Sequence, residues 1–329
     1  MRKQQRTRRN WTKSEYADIV NMKQSQKLGW TDIAQKVNDT VENTIAAYRR
    51  AVGAKHGAYK NAAYSNEPAM HTTLENPKIA VLDIETLPGV GFFWQLFDTT
   101  ISIDQVIEDI TFLSWAGKWL DSPKMYSDIL TPDEAIHRDT SRITQSVWDF
   151  LKQADIVVGH NFHGYDSKII NTNYLEHGLG PLKPVIIDTL LVAKNHFRFS
   201  SNKLQFINRK LGMRDKMDTG GFQLWKDCHY GDPVALQKMK DYNIQDIYST
   251  EDLMMRFRPY IKNLNVALYV DSVTEICPVC GSKEWEPEGS FFTPAGRWPA
   301  RRCQNCLCLY RTKVNLFDKY KKRSLGINS

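Results

Sequence analysis

Two carboxylates stand one residue apart at the end of an apolar run, in Lys78-Ile79-Ala80-Val81-Leu82-Asp83-Ile84-Glu85-Thr86. Side chains alternate faces along a strand, so Asp83 and Glu85 point the same way and Ile84 points into the opposite layer. Like charges this close raise each other's pKa unless a cation is present, and a hard divalent metal with oxygen ligands is the natural partner. For this stretch alone, a strand end pointing two acids at water is the simpler reading. Two further segments weaken it. Val158-Gly159-His160-Asn161-Phe162-His163-Gly164-Tyr165-Asp166 follows an apolar run and places Asp166 at the start of a helix. In Asp241-Tyr242-Asn243-Ile244-Gln245-Asp246, Tyr242 and Asp246 are four apart in a helical pattern and share one face.

A second chemistry belongs to sulfur. Cys277-Pro-Val-Cys280 and Cys303-Gln-Asn-Cys306 are two CxxC pairs with 22 residues between them. Each pair can form a turn whose N–H groups donate to thiolates, and four sulfurs complete a tetrahedral structural zinc site. So short a segment has little core of its own and is expected to fold with its metal. Cys308 competes with Cys306 for the fourth place, and the CxxC spacing favours Cys306. Cys228 reads as a lone buried or free thiol.

The elements that must carry these groups follow from periodicity. Residues 78–85, Gly91–Gln95 (GFFWQ) and Phe112–Leu120 read as strands of one sheet. Ser146–Gln153 has helical spacing, Asp155–Gly159 is a short buried strand, and a helix is expected from Asp166 to Glu176. Pro184–Asp188 is a further apolar run, followed by helices at Lys203–Leu211 and Pro233–Met255. Strands first and β-α alternation afterwards give a mixed α/β sheet covered by helices.

Charge divides the chain in the same places. Residues 1–66 hold 13 Lys/Arg against 5 Asp/Glu, residues 272–329 hold 10 against 5, and the middle holds 21 against 27. An acidic centre between basic ends suggests a metal-binding core flanked by polyanion-binding appendages. No apolar stretch reaches the roughly 18–20 residues of a membrane span. The basic start, MRKQQRTRRNW, lacks the apolar core of a signal peptide. A cytoplasmic protein is therefore expected, with no membrane partner.

The three acidic motifs, DIET, then N-x-x-x-[FY]-D, then Y-x-x-x-D, resemble in order and spacing those of the DnaQ-like (DEDD) 3′–5′ exonuclease superfamily. Tyr242, four residues before the last Asp, is similar to the tyrosine subgroup; Asp241 holds the place that is His in the other subgroup. The resemblance covers roughly residues 77–256 and implies a ribonuclease H-like fold. It implies that Asp83, Glu85, Asp166 and Asp246 hold two Mg²⁺ or Mn²⁺ ions about 3.5–4 Å apart, one activating a water and the other stabilising the leaving 3′ oxygen. Tyr242 would orient that water, and Asn161 would contact substrate. His160, His163 and Asp188 lie nearby in sequence and read as structural.

At the N-terminus Trp11, Trp30 and Tyr48 recur at intervals of 19 and 18, which resembles a Myb/SANT-like three-helix domain built on three aromatics. Its helices would be Lys13–Lys23, Trp30–Val37 and Val41–Val52, with Thr31 and Thr40 as caps. The last would be the recognition helix of a helix-turn-helix, bringing Asn43, Arg49 and Arg50 to DNA, with Arg6, Arg8 and Arg9 on phosphates. A protein-interaction module is the competing reading. The cysteine segment resembles a zinc ribbon, in which Arg297, Arg301, Arg302 and Arg311 make a nucleic-acid contact conceivable and a structural clasp the plainer alternative.

The expected organisation is a helix-turn-helix domain at 1–55, a linker at 56–76, a ribonuclease H-like domain at 77–265, a zinc ribbon at 273–312 and a basic tail at 313–329. The expected function is a two-metal 3′–5′ exonuclease acting on DNA in replication, repair or recombination. Its cofactors would be two Mg²⁺ or Mn²⁺ and one structural Zn²⁺. Its partners would be single-stranded 3′ ends, duplex through the N-terminal domain, and a replication or recombination protein. A structure-specific endonuclease, an RNA exonuclease and a catalytically silent DNA-binding regulator are the alternatives. The three-part build resembles phage or mobile-element proteins.

Overall fold

A computed structural model describes residues 11–41, 43–45, 47, 48, 51, 76–214, 219–272 and 274–326 of the 329-residue chain. It divides into two units, Met1–Met70 and His71–Ser329. The expected 56–76 linker lies outside the described residues except for its last residue, as do Arg6, Arg8, Arg9, Arg49 and Arg50.

In the first unit, α1 (Lys13–Gln24) begins at Thr12, whose hydroxyl accepts from the Glu15 N–H while the Glu15 carboxylate accepts from the Thr12 N–H. This reciprocal cap satisfies two orphan donors of the first turn. α2 (Trp30–Lys36) starts at Gly29 rather than at Thr31, which falls inside the helix. Thr40 does cap: its hydroxyl accepts from the Asn43 N–H, and residues 41, 43–45, 47, 48 and 51 are helical. Ile19, Ile33 and Ala47 are buried, and Trp11, Trp30 and Tyr48 pack around them. Trp30 meets Tyr48 edge-on with ring centroids 5.1 Å apart.

The second unit is built on a five-stranded sheet in the order β5-β4-β1-β6-β7. The strands are β1 (Ile79–Leu87), β4 (Thr111–Trp119), β5 (Met125–Ile129), β6 (Ile156–Gly159) and β7 (Val185–Asp188). β1, β4 and β5 are antiparallel neighbours, and β6 and β7 join parallel to β1. Between β6 and β7 runs α5 (Asp166–Glu176), which begins and ends where its periodicity predicts.

Alternation along β1 is clean as far as Glu85. Ala80, Leu82 and Ile84 enter one apolar cluster with α4 (Ser141–Leu151) and α5. Ile79 and Val81 enter a second cluster on the other face, and Asp83 and Glu85 continue that row as half-buried acids. The 25-residue helix α9 (Pro233–Phe257) lies across β4 and β1. Its Leu236, Met239 and Tyr242 belong to the first cluster and its Ile247, Leu253, Met254 and Phe257 to the second. Asn243 and Asp246 sit at the changeover.

An ion pair pins α9 to the sheet: Lys118 of β4 donates to both oxygens of Glu251, at 2.5 and 2.6 Å, with the side chains only 8% and 17% exposed. Removing one member strands the other charge in a dry site. Lys118→Ala is expected to cost about 3–5 kcal/mol in urea unfolding, and Lys118→Met with Glu251→Leu to recover most of it. An unchanged midpoint for Lys118→Ala would contradict this reading.

GFFWQ is not a strand of this sheet. After β1 the chain forms only the two-residue β2 (Val90–Gly91), paired with β3 (Val106–Glu108) in a separate ribbon. Phe92, Phe93, Trp94 and Phe97 are all more than half exposed. Their apolar character signalled burial, but among the described residues no element covers them. The base of this excursion is held by Arg138, which donates to the carbonyls of Pro88 and Asp109 and pairs with Glu108 at 2.7 Å.

The cysteine segment forms a three-stranded sheet, β8 (Trp285–Thr293), β9 (Gly296–Cys303) and β10 (Leu309–Arg311), in the order β10-β9-β8. It is docked rather than strung out. Cys277, Val279, Cys303, Cys308 and Tyr310 share the second apolar cluster with Phe257, Leu264 and Val266. The Val266 N–H donates to the Pro278 carbonyl at 2.7 Å. Among the described residues, no helix is long and apolar enough to cross a membrane.

Candidate metal and nucleic-acid site

Asp83, Glu85 and Asp246 each offer a carboxylate oxygen, and these oxygens lie within 4.8 Å of one another. The strand supplies the first two and helix α9 the third, from 161 residues further along the chain. At Glu85/Thr86 the β1–β4 register shifts, a bulge placed where the strand turns its acids toward the helix.

Asp166 comes to the same strand end by another route. Its Oδ1 accepts from the backbone N–H of Ile84, the residue between the two acids, at 3.2 Å. The carboxyl is 5% exposed and lies outside the 4.8 Å group. Burial pushes it up to about 7, with Asp188 adding to the rise and the N–H bonds from its own backbone and Ile84 opposing it.

The loop that delivers Asp166 is built around Asp188 at the end of β7. Its Oδ1 accepts from the N–H groups of Asn161 and Leu190, and its Oδ2 from that of His163. Asn161 sits at φ 65°, a left-handed conformation that asparagine tolerates better than most. Gly159, two residues earlier, is required by space, since a Cβ there would lie 2.7 Å from the Phe162 Cβ and 3.0 Å from the Leu82 carbonyl. His160 bridges the Thr189 hydroxyl and the Asn202 carbonyl, each at 2.9 Å. His160 and Asp188 thus act as loop struts, and His163 contributes its N–H to the same frame. The Tyr165 hydroxyl meets that of Thr86 at 2.9 Å, tying this loop to the DIET stretch.

Tyr242 is buried four residues before Asp246, with its ring edge-on to Trp225 at 6.2 Å. Between them on the helix stands a residue that sequence reasoning missed. Asn243, 1% exposed, donates to Asp83 Oδ2 at 2.8 Å, while its own carbonyl accepts from the Ser114 hydroxyl at 3.2 Å. A Ser114–Asn243–Asp83 relay therefore fixes the orientation of one carboxylate. The signal available in sequence was an amide inside an otherwise apolar helix face, which by itself does not name its partner. Asn243→Ala is expected to weaken divalent-metal binding about 10–100-fold with the fold intact, as read by calorimetry; unchanged affinity would remove the relay.

Cys277, Cys280, Cys303 and Cys306 form a second cluster, again within 4.8 Å. Its two turns match: the Gly281 N–H donates to the Cys277 carbonyl and the Leu307 N–H to that of Cys303. Gly281 and Leu307 both take positive φ, at 76° and 63°. The Cys306 N–H points at the Cys303 sulfur, 3.5 Å away. Cys308 is buried outside the quartet, its carbonyl accepting from the Cys303 N–H. Cys228 is fully buried in the first apolar cluster, which pushes its thiol up to about 12.

Residues 120–258 match the family model RNase_H_2 of the RNase H superfamily. The fold is RNase H-like. The matched span contains Asp166, Tyr242 and Asp246 and begins after Asp83 and Glu85. Among solved structures, that of the family B DNA polymerase from the hyperthermophilic archaeon Pyrobaculum calidifontis is similar at 16% identity and a TM-score of 0.43. The similarity covers 56% of this chain and 25% of the polymerase, so the chain spans about a quarter of that relative's length. No curated protein matches. The match to an RNase H superfamily model supports a nuclease-type function, and the acidic cluster lies at the end of the central strand of the sheet.

Proposed function

We propose that the RNase H-like unit is a divalent-metal-dependent 3′–5′ exonuclease acting on DNA. The observation that carries this reading is the convergence of Asp83, Glu85 and Asp246 at one strand end, with Asp166 bonded to the backbone between the first two. The donor set fits Mg²⁺ or Mn²⁺: it is all hard oxygen, and gathered carboxylates are costly without a cation. When bound, such ions supply the positive charge that makes a water more acidic and neutralises a phosphodiester.

The chain's own residues do the rest. Asn243 and Ser114 hold Asp83 in one rotamer. Tyr242, on the helix face of Asp246, orients the attacking water, and Asn161 touches the strand from the loop above. The four cysteines hold one structural zinc, which fits their number, softness and matched turns. The N-terminal unit, with Arg49 and Arg50, binds duplex DNA, and the chain works beside replication or recombination proteins. The domain limits follow the sequence: 1–55, 77–265 and 273–312.

Burial of Asp166 gives this site a pH signature. Its carboxyl, raised to about 7, is protonated in the metal-free site below that pH. A cation using this carboxylate must displace the proton, so metal affinity is expected to fall as pH drops through 7, by up to tenfold per unit. Mn²⁺ titrations at pH 6 and pH 8 with equal affinity and no proton release would contradict it.

Product analysis tests the activity. With Mg²⁺, a 5′-labelled single strand should shorten one nucleotide at a time from its 3′ end, releasing mononucleotides. A single internal cut would make the enzyme an endonuclease, faster decay of RNA would change its substrate, and an intact strand would refute hydrolysis.

A further inference from the structure

The acidic side chains of the cysteine segment, Asp318 apart, all precede residue 289, and two of them pair with arginines. Near the cysteines, Glu275 pairs with Arg301 at 3.4 Å and Glu288 holds Arg302 through two bonds at 2.7 and 2.8 Å. From residue 289 onward the sequence has nine Lys/Arg and one acid, Asp318. That acid is engaged in capping the short helix α10 (Lys319–Arg323), its Oδ1 accepting from the Lys321 N–H.

The strip from Arg311 to Leu316 is attached to the sheet and leads into α10. After β10 the chain runs on beside β9: the Thr312 N–H donates to the Pro299 carbonyl and the Leu316 N–H to that of Arg297. Asn315 donates to the Ala295 carbonyl and accepts from the Arg297 N–H. Arg311 lies over the Trp298 ring, 4.5 Å from its centroid, which presents its guanidinium at a fixed place. Arg311, Lys313, Lys319, Lys321, Lys322 and Arg323 are all exposed. Two exposed aromatics interleave with these charges. Tyr320 stands between Lys319 and Lys321, 80% exposed. Phe292 is 69% exposed, directly across the strand pair from Arg297, whose guanidinium lies 5.4 Å from its ring.

We propose that this strip, Arg311–Arg323 with Arg297 and Phe292 beside it, is a binding strap for single-stranded DNA. Six exposed cations against the single carboxylate of Asp318 suit a phosphate backbone, and releasing its counterions drives the contact. The exposed aromatics offer faces for unpaired bases, which a duplex keeps stacked inside. The strap would hold the strand apart from the carboxylate cluster and so keep a substrate bound between cuts. The inference rests on the proposed function only in taking a DNA strand as the ligand.

The test uses the full chain carrying Asp83→Asn, with a fluorescent single-stranded oligonucleotide and a matched duplex over a salt series. Replacing Arg311, Lys313, Lys319, Lys321, Lys322 and Arg323 by Gln is expected to reduce the single-strand salt slope by about 2–4, at roughly 0.7 for each phosphate no longer neutralised. Phe292→Ala with Tyr320→Ala is expected to weaken single-strand binding about tenfold at unchanged slope, and duplex binding far less. An unchanged slope in the Gln variant would overturn the proposal, and so would equal losses for both probes in the aromatic variant. Retained zinc content and unfolding temperature show that the sheet is folded in each variant. Hydrolysis by the unsubstituted chain is scored separately, so failure of the strap and failure of the nuclease reading remain distinct.

Discussion

Asp83→Ala or Asp246→Ala is expected to lower Mg²⁺-dependent hydrolysis of a single strand by at least about a thousandfold, roughly 4 kcal/mol of transition-state stabilisation. The two residues come from different elements, and either loss leaves the remaining acids without the geometry to hold a cation. Asp83 is also the acceptor of Asn243, so its removal strands a buried amide and adds a cost of about 1–3 kcal/mol in stability. Asp83→Asn separates the effects, because it keeps the shape of the side chain and removes the charge. Binding of DNA through the basic ends should survive both variants, since neither acid belongs to those surfaces. Hydrolysis at the parental rate in Asp83→Ala and Asp246→Ala would dissociate the cluster from the chemistry.

The second large effect concerns the thiols. Cys277 and Cys303 are fully buried, in the same apolar cluster as Phe257 at the end of helix α9. Loss of a metal held by this quartet would therefore expose part of the core of the RNase H-like unit as well as open a local knuckle. Cys277→Ser or Cys303→Ser is expected to remove one equivalent of zinc and to cost about 3 kcal/mol, a fall of roughly 6–12 °C in thermal midpoint. Cys308→Ser, outside the quartet, should keep its zinc. Full zinc content in Cys277→Ser, or its loss in Cys308→Ser instead, would reassign the ligands.

Much of this arrangement was legible in the residues, for identifiable reasons. A strand alternates strictly, so DIET fixed which side chains of β1 share a face, and Ile84 is buried between two half-buried acids as that rule requires. The helix carrying Tyr242 and Asp246 was visible because its apolar positions repeat over 25 residues. The cysteine spacing identified a quartet because thiol pairs at that interval close a turn on one ion.

What stayed hidden were partners that depend on tertiary approach. Asn243 finds Asp83 across 160 residues and Lys118 finds Glu251 across 133, and no local pattern encodes either meeting. GFFWQ misled because aromatic, strand-prone residues usually mark a buried surface. The docking of the cysteine sheet onto the core was equally unreadable, since its apolar residues alone do not name the surface that they cover.

The proposed function stands or falls on divalent-metal binding by the cluster at the end of β1. Calorimetric titration of Mn²⁺ into the zinc-loaded full chain at pH 8, beside Asp83→Asn with Asp246→Asn, tests it most directly. Two sites per chain are expected in the parent and none of comparable affinity in the double variant. Identical isotherms for the two proteins would contradict it.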